Sequence, residues 1–512
     1  MPSSRGSLTV PERVNRGGSV GLSAQAAHAR QAIAANTGSE VGCRFIVQFA
    51  GQWSGGLAGD KLAVCARWVP TRTRCECCLT PTATRTLVVQ TTPCHPCGPP
   101  TGAAMRRTPL TLLTAAATAF LTACGSDSAP SGSSPETVVD TIGDTTVVRT
   151  LSGSVWGAEA TLVPEMTIGR LDGPEEYLFG NIRSIAVGDD GTVHVLDLQA
   201  QHVRVFDSLG VYVETLGRRG EGPGEFTEAE AIAVLPDGRL AVRDPENQRV
   251  TLFGPGPGEI DEWRYTGGVS TFSPLYADTR GRIHLLAGDL SRLDELGMEI
   301  IVLGPDGTHL DTLPEPSSDY QAPVVRAEAP GGMSVTYGVP FAPRFHWTLH
   351  PSGHFLTGLS TDYRIDLARD DGVLRIERSR DPVPASDAER TYQRDLTVGR
   401  IGRSLPGWEW DGPAIPRHKP FFLALRAGRD GRIWVRLSTE GRPVDNPDHD
   451  PDDPTSFPVN WEEDTRYDVF EPDGTYLGVV VAPDEFTSFP VPVFGSDHVW
   501  AVTADEQGVQ RV

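Results

Sequence analysis

Basic and aromatic side chains occur together in three stretches of this chain, PRFHW, WEW and RHKPF. The residues concerned are Arg344, His346, Trp408, Trp410, Arg417, His418 and Lys419. Arg and Lys pair with carboxylates or phosphates, and aromatic rings stack on flat ligand groups. We therefore predict that these residues bind an anionic or sugar-like ligand. The alternative is that the rings are buried between structural units, because large aromatic side chains are highly buried on average.

An acidic stretch at residues 448–453 has carboxylates spaced like the start of a calcium-binding loop. Such a loop needs Gly at its sixth position, which is Asp453 here, and a bidentate Glu at its twelfth, which is Val459. We therefore predict a solvated loop and no cofactor, with a divalent cation such as calcium kept as an alternative. No Ser-His-Asp or Cys-His pattern is recognisable, so the sequence predicts no catalytic residue and no metal ligand.

The elements that must position these residues are short strands. Residues 184–226 contain four runs in which apolar and polar residues alternate, namely SIAVG, TVHVLD, HVRVFD and VYVETLG. Alternation at period 2 indicates strands with one buried face. Turn residues such as Gly191 and Gly210 separate the runs, since Gly readily adopts the positive φ of tight turns. The stretch predicts one four-stranded antiparallel meander.

The same unit recurs along the chain, each time with a turn before its second strand. The turn residues are Gly191, Gly238, Gly281, Gly353, Gly431 and, more weakly, Asp497. The first two spacings are about 45 residues, within the range of propeller blades, and the longer ones indicate insertions. Six such units predict an all-β fold, a six-bladed β-propeller of four-stranded antiparallel blades over residues 138–512.

The ring is expected to close with an N-terminal strand. MTIG at residues 166–169 and the connector after it resemble ETLG at residues 214–217 and the connector GRRGEGPGEF. The first pair has no blade before it, and the sixth unit ends too early to supply its own fourth strand. We therefore predict that the strand at Met166 completes the last blade. GRRGEGPGEF lacks the Lys-Ser/Thr of a phosphate loop and a following helix, so we interpret it as a connector.

One helix is predicted. Ser386 and Glu389 have the spacing of a capping box, in which the two residues satisfy backbone N–H groups at a helix N-terminus. This pattern predicts a short helix that begins after Ser386 and ends near Leu396.

Blades one and two resemble the NHL-repeat propellers. Asp244, Asn247 and Arg249 fit the family's pattern of Asp followed by Asn-x-Arg-Val, and the match is good over residues 184–253. The body is also similar to bacterial six-bladed propeller lipoproteins. The resemblance implies a propeller that binds proteins, peptides, glycans or RNA, while a minority of related folds are metal-dependent lactonases or lyases. The fold by itself does not choose between these functions.

Residues 105–124 resemble a bacterial lipoprotein signal. Met105 begins a basic stretch, residues 110–123 are apolar but too few to span a bilayer, and LTAC at residues 121–124 resembles a lipobox. The resemblance implies cleavage before Cys124 and attachment of lipid to its sulfur. Gly125, in place of Asp, favours the outer membrane.

Four segments follow from this interpretation: residues 1–104, the signal peptide 105–123, a Ser/Gly/Pro tether 124–137 and the propeller 138–512. A signal peptide works only at an N-terminus, so we expect translation to start at Met105 and residues 1–104 to be a mis-annotated, disordered upstream segment. All eight cysteines lie in the first 124 residues, so we expect a propeller without disulfides.

The charge of the body excludes one class of partner. Residues 125–512 carry 33 Lys and Arg against 63 Asp and Glu. Nucleic acid is therefore not expected as a partner, because its phosphate backbone requires Lys and Arg. We expect a monomer in the bacterial cell envelope, on the outer membrane or the periplasmic face, that touches the membrane only through its lipid.

Two functions stay open at this point. The first is a lipid-anchored module that binds a protein, peptide or glycan. The second is a metal-dependent lactonase or lyase with an ion in the central channel, which would need several ligands converging from the inner strands. Those strands offer few polar groups, namely Asp278, His346, His350 and Arg426. We therefore expect a binding module rather than an enzyme.

Overall fold

The structure, a computed structural model, describes residues 44–48, 134–256, 258–288, 297–328, 334–505 and 508–512. Three four-stranded sheets, one six-stranded sheet and one eight-stranded sheet form a β-propeller. Within blades one to four, strands adjacent in sequence pair in antiparallel fashion. The predicted all-β propeller of four-stranded antiparallel blades is confirmed.

Blades one to three are separate four-stranded meanders, as the repeat predicted. Blade one consists of Ile182–Val187, Val193–Asp197, His202–Phe206 and Tyr212–Leu216. Blade two consists of Ala231–Val234, Leu240–Asp244, Arg249–Phe253 and Ile260–Arg264. Blade three consists of Tyr276–Ala277, Ile283–Gly288, Met298–Leu303 and His309–Pro314. The first strand of each blade is its inner strand, next to the central channel.

Blade four is widened by a hairpin from the start of the described body. Its own strands are Phe345–Leu349, Phe355–Leu359, Arg364–Arg369 and Gly372–Arg378. Thr145–Ser152 pairs in parallel with the last of these strands, and Glu136–Ile142 pairs with Thr145–Ser152. Every residue of Glu136–Ile142 is exposed. This outermost strand therefore gives blade four a solvated edge that the sequence pattern did not predict.

The eight-stranded sheet holds blades five and six. Blade five consists of Phe422–Ala427, Ile433–Leu437, Arg466–Phe470 and Tyr476–Val481. Blade six consists of Val493–Phe494, His498–Trp500, Arg44–Gln48 and Ala160–Met166, in that spatial order. A parallel contact of only two residue pairs joins the two halves. Five sheets therefore correspond to six blades, because the last two share one continuous ladder.

The predicted closure by an N-terminal strand is confirmed. Ala160–Met166 is the outer strand of blade six, and it pairs with Arg44–Gln48, which pairs with His498–Trp500. The sixth unit therefore supplies two strands of its blade, not three, and Arg44–Gln48 differs from the expectation that residues 1–104 lie outside the propeller. The chain after Trp500 does not continue the blade, because Thr503–Ala504 and Gln510–Arg511 pair with each other instead. Val512 then exchanges two backbone hydrogen bonds with Ile168, at 2.6 and 2.8 Å. The last residues are thus fastened to the segment that follows the closing strand.

The hydrophobic core lies in the seams between neighbouring blades. Trp434 of blade five packs with Val499 of blade six, and Ile185 of blade one packs with Trp500 of blade six. All four residues are at most 4% exposed. The second of these clusters joins the last blade to the first, so apolar burial closes the ring in addition to backbone pairing.

Asp and Arg side chains repeated in blades one and two hold the connectors between blades. Asp244, at the end of the second strand, accepts hydrogen bonds from the N–H groups of Thr227 and Glu228. Arg249, on the third strand, donates to the carbonyls of Gly222 and Glu225 in GRRGEGPGEF. In blade one, Asp197 and Arg204 make the equivalent contacts with residues 178–181. The glycine-rich segment is therefore a connector between blades one and two that is held by side chains of blade two.

Insertions surround blades four and five. They are the hairpins Val324–Glu328 with Ser334–Gly338 and Gly441–Asp445 with Val459–Glu463, and the helix Asp387–Gly402. Another short element, the 3₁₀ helix Glu175–Tyr177, lies before blade one. The Ser386 hydroxyl accepts from the Glu389 N–H at 3.1 Å, as predicted. The helix continues past Leu396 because its last turns are buried, with Thr397 5% and Ile401 0% exposed.

Candidate functional site

A cavity of about 930 Å³ runs through the centre of the ring, and we call it the central channel. The inner strands of all six blades line it. At one end lie Arg183, Phe272 and Phe489, which precede or begin inner strands. At the other end lie Asp189 and Arg429, in the turns that follow inner strands. The first strands of the six blades therefore enclose one space large enough for a small-molecule ligand.

Small side chains leave the space open on four blades. Ala186, Ala233, Ala277 and Ala427 line the channel from blades one, two, three and five. Each alanine stands on an inner strand, and Ala186 and Ala233 are also buried in core clusters between blades. Ala277 and Ala427 are less buried, so these two positions are the better places to narrow the channel.

Aromatic rings occupy the wall between blades three and four. Tyr276 and Trp347 line the channel with their ring centroids 6.1 Å apart. The indole N–H of Trp347 donates to Glu315 Oε1 at 3.0 Å. Burial raises the pKa of Tyr276, so its hydroxyl stays protonated at neutral pH. This wall offers flat apolar faces together with fixed polar atoms, the usual lining of small-molecule sites.

Arg426 lines the channel from the inner strand of blade five. Its Nη1 donates to the carbonyl of the preceding Leu425 at 2.9 Å. Among the described residues it forms no ion pair with a carboxylate, and its remaining N–H groups have no partner. Burial lowers the pKa of Arg426. A guanidinium nonetheless stays charged at neutral pH, because its intrinsic pKa lies far above that pH.

Further basic groups surround Arg426. His346 lies on the neighbouring inner strand with its ring centroid 5.4 Å from that of Phe422. Burial first, and then the positive charges of Arg426 and Arg344, lower the pKa of His346 to about 4. Arg436, on the second strand of blade five, donates to Ser488 Oγ at 2.8 Å. The region between blades four and five is thus positive within an acidic body.

The two buried carboxylates of the channel already have basic partners. Asp278 accepts from Arg282 at 2.6 Å and contacts His284 Nε2 at 3.1 Å. Burial alone would raise the pKa of Asp278, but these hydrogen bonds lower it to about 2. Glu230 pairs with Arg243, whose side chain is fully buried. Both carboxylates therefore serve the fold, and neither faces Arg426 as a counter-ion.

The two ends of the channel differ in chemistry. At one end the Arg183 guanidinium lies 4.2 Å from the ring centroid of Phe272 and 5.0 Å from that of Phe489. At the other end Arg429 forms an ion pair with Asp189. Arg429 belongs to blade five and Asp189 to blade one, so this ion pair links the two blades that flank blade six.

The structure separates the seven predicted ligand-binding residues. Trp408 and Trp410 pack together in a cluster with Val325 and Ile401, and Trp410 Nε1 donates to the Gly412 carbonyl. These two rings therefore fill a seam under an insertion, which is the alternative that the sequence left open. Neither ring lines the channel.

The basic candidates have three different environments. Arg417 and His418 are exposed in the segment before blade five, and Arg344 is exposed at the start of blade four. Lys419 is 3% exposed, and its Nζ contacts Glu389, Glu463 and the Thr439 carbonyl. A rim-binding role for Lys419 needs correcting, because three internal partners use its ammonium group. Only Arg344 and His346 lie near the channel-lining Arg426.

Sequence reasoning missed the role of the channel wall. It named Arg426 as a polar group of an inner strand but did not select it, since a lone Arg in an apolar run has no motif. Trp347 belongs to the basic–aromatic stretch PRFHW, and no sequence motif singles out Tyr276. These residues could have been found from the sequence by assigning the first strand of each unit as its inner strand, because the inner strands of all blades lie next to the same central axis.

The acidic stretch 448–453 lies in the loop of the hairpin that ends at Glu463. Its last residue, Asp453, accepts two hydrogen bonds from Arg403, at 2.7 and 2.8 Å. Across the described ranges, no three His, Cys, Asp or Glu side chains are grouped so as to hold a metal ion. The described residues also include no helix long and apolar enough to cross a membrane. Cys124 and the predicted signal peptide lie outside the described residues.

Comparison with known proteins supports the propeller. Residues 167–253, which include blade one and the first three strands of blade two, match the family DUF5128, described as a 6-bladed beta-propeller. No curated protein matches the chain in sequence.

Solved structures with similar folds have low sequence identity. A member of the DUF4221 family from Bacteroides vulgatus is 11% identical, with 67% of this chain and 92% of that chain covered and a TM-score of 0.37. A gluconolactonase from Xanthomonas campestris is 13% identical, with 66% and 86% covered and a TM-score of 0.31. Virginiamycin B lyase from Staphylococcus aureus is 12% identical, with 55% and 84% covered and a TM-score of 0.27. At these values the similarity assigns neither ligand nor activity to this chain.

Proposed function

We propose that this chain is a binding module of the bacterial cell envelope, and that its ligand enters the central channel. The ligand would be a small molecule or the end of a peptide or glycan chain. One observation carries the proposal, the cavity of about 930 Å³ enclosed by six inner strands. Small-molecule sites are concave, partly apolar and about 300–1,000 Å³ in volume, with a few fixed polar groups.

The channel is a better candidate than the insertions. Trp408 and Trp410 are packed against apolar neighbours, and Lys419 is neutralised by internal carboxylates. Tyr276, Trp347 and Arg426, by contrast, have atoms at the channel surface. A ligand in the channel could therefore reach aromatic faces and a cation without displacing any part of the core.

A plugged channel tests this proposal. The full chain is screened by thermal shift against a library of small water-soluble sugars, peptides and organic acids. We expect compounds that raise the melting temperature of the wild type but not of Ala277→Phe or Ala427→Phe, which fill the channel from different blades. The matched control is Ala322→Phe, at an exposed residue outside the channel. Equal shifts in wild type and both plugged variants, or no shift with any compound, would refute the proposal.

We further propose that the propeller is held at the membrane by lipid on Cys124. The support is the basic start at Met105, the apolar run and the LTAC sequence. In a bacterial host, the wild-type chain should partition into detergent, whereas Cys124→Ser should stay in the aqueous phase. Ser128→Ala, in the tether after Cys124, is the control and should behave as wild type. Detergent partitioning of Cys124→Ser would contradict the anchor.

The NHL-type assignment belongs to the same proposal. It is supported by the contacts of its pattern residues in blade two. Asn247 Nδ2 donates to Asp244 Oδ2 at 2.7 Å, and Arg249 donates to carbonyls of the preceding connector. The pattern residues thus fix the path between blades, which explains why they recur without lining the channel.

A further inference from the structure

We propose that the central channel selects anionic ligands, and that the Arg426 guanidinium binds a ligand carboxylate whose apolar or aromatic body lies against Trp347 and Tyr276. This inference rests on the proposed function of the channel and adds the chemical class of the ligand. Arg426 is not one of the seven residues that the sequence predicted to bind a ligand.

The first step is the unused hydrogen-bonding capacity of Arg426. A guanidinium carries five N–H donors in a planar fork. One nitrogen of Arg426 donates to the Leu425 carbonyl, and no other partner is found among the described residues. The Arg426 side chain is half-buried and lines the channel, so its remaining donors are accessible from the channel. A carboxylate in the channel would accept two parallel hydrogen bonds from this fork, the geometry for which Arg is suited.

The second step is a comparison with two arginines that pair with carboxylates of the channel wall. Arg243 has Glu230 as its partner, and Arg282 has Asp278. These arginines are neutralised within the fold, as buried charges usually are. Arg426 differs although the body has almost twice as many acidic as basic residues. A counter-ion could have been supplied by the chain, and the described residues supply none.

The third step is the field around Arg426. Arg436 and Arg344 also form no ion pair with any described carboxylate, and the half-buried His346, whose pKa is about 4, is neutral at pH 7 and adds no negative charge. Positive charges close together repel one another, and an anion between them would relieve this repulsion. The low-dielectric wall makes the attraction for an anion stronger than it would be in water.

The fourth step limits the shape of the ligand. Glu315 also lines the channel, where it accepts the Trp347 indole N–H. Its charge disfavours a second carboxylate at the aromatic wall, so a single carboxylate at Arg426 fits best. The adjoining faces of Tyr276 and Trp347 suit an apolar or aromatic body. The ligand class is therefore a monocarboxylate with an apolar or aromatic body.

Matched pairs of acid and amide test this inference with probes of equal shape. The pairs are benzoate and benzamide, 3-phenylpropionate and 3-phenylpropanamide, and indole-3-acetate and indole-3-acetamide. Binding to the full chain is measured by calorimetry and by saturation-transfer NMR. A hydrogen bond to a charged group contributes enough for about a 10- to 100-fold preference for the acid. We expect that preference in at least one pair.

Variants assign the preference to one residue. Arg426→Gln should remove the difference between acid and amide, whereas Arg426→Lys should keep part of it because the positive charge remains. Arg264→Gln, at an exposed residue on the outer strand of blade two, is the control and should bind as wild type. If Arg426→Gln does not fold, the comparison of wild type, Arg426→Lys and control still tests the guanidinium, because the acid preference should be smaller in Arg426→Lys than in the other two.

Two results would overturn the inference, and they differ from failure of the proposed function. Equal binding of acids and amides, with both lost in Ala277→Phe, would show a channel that binds ligands without selecting anions. Binding of neutral library compounds alone would do the same. Acid selectivity that persists in both Arg426→Gln and Ala277→Phe would place the anion site outside the channel and refute both proposals.

Discussion

Replacing Lys419 by Met should destabilise the protein strongly, because its ammonium group joins three elements in the interior. Nζ lies 2.5 Å from Glu389 of the helix and 2.8 Å from Glu463 of the blade-five hairpin. It also donates to the Thr439 carbonyl at 2.9 Å. The Lys419 side chain is fully buried and that of Glu389 is 4% exposed, so water screens this network poorly.

The magnitude follows from what the substitution leaves behind. Met fills much of the volume of Lys, so loss of packing is small. Two neighbouring carboxylates would remain in the interior without a cation, and breaking a buried pair costs about 3–5 kcal/mol. The control is Arg403→Met, at the end of the same helix. Arg403 bonds to Asp453 with both side chains at least one-third exposed, so we expect a loss below about 1 kcal/mol.

Urea unfolding followed by circular dichroism measures both variants, and hydrogen exchange locates the effect. Amides of the helix Asp387–Gly402 should exchange at least about 100-fold faster in Lys419→Met, as 3 kcal/mol implies. Amides of blade two should change little if the insertion opens locally. Similar losses in Lys419→Met and Arg403→Met would show that the buried network is not what holds the helix, and the reasoning would be refuted.

Two further predictions concern pH and the blade turns. Burial lowers the pKa of His194 from its ordinary 6.5 to about 4, so the histidine stays neutral in the folded state over that range. The unfolded chain takes up the proton near pH 6.5. The free energy of unfolding therefore falls as the pH drops from about 6.5 to about 4, by up to about 3 kcal/mol. Urea midpoints at pH 7 and 4.5 should therefore differ less in His194→Asn than in wild type, and an equal difference would argue against this burial effect. Gly217→Ala, where φ is +74° and a Cβ would lie 2.1 Å from the Phe226 ring, should cost about 2–4 kcal/mol. Gly238→Ala, where φ is +85° and the space is open, should cost only about 1 kcal/mol, and equal thermal shifts in the two variants would contradict the clash.

Features that depend on neighbours in sequence could be predicted. Strand alternation, the turn glycines and the Ser386–Glu389 cap are local, because side-chain direction, φ and helix capping are decided within a few residues. The connector between blades one and two was also predicted, from its missing phosphate-loop residues. The helix length was not, since burial of Ile401 extends it past Leu396.

The ligand-binding residues could be predicted only in part. The sequence identified basic and aromatic side chains but not their partners, since a partner can lie far along the chain. Lys419 meets carboxylates 30 and 44 positions away, at Glu389 and Glu463, and is neutralised. Arg426 stands seven residues later and meets no described carboxylate. Two residues of the same formal charge therefore differ in function because packing gives one of them carboxylate partners and the other none.

By itself, then, the sequence determined the repeated four-stranded meanders, the closing N-terminal strand and the net negative charge of the body. Period 2, glycine turns and net charge are properties of the chain before it folds. Only the tertiary structure decided that the inner strands enclose about 930 Å³, and that Arg426 lies there without a counter-ion. The physical reason is that a cavity and an unmatched charge depend on six strands converging on one axis, and no single stretch of sequence contains that arrangement.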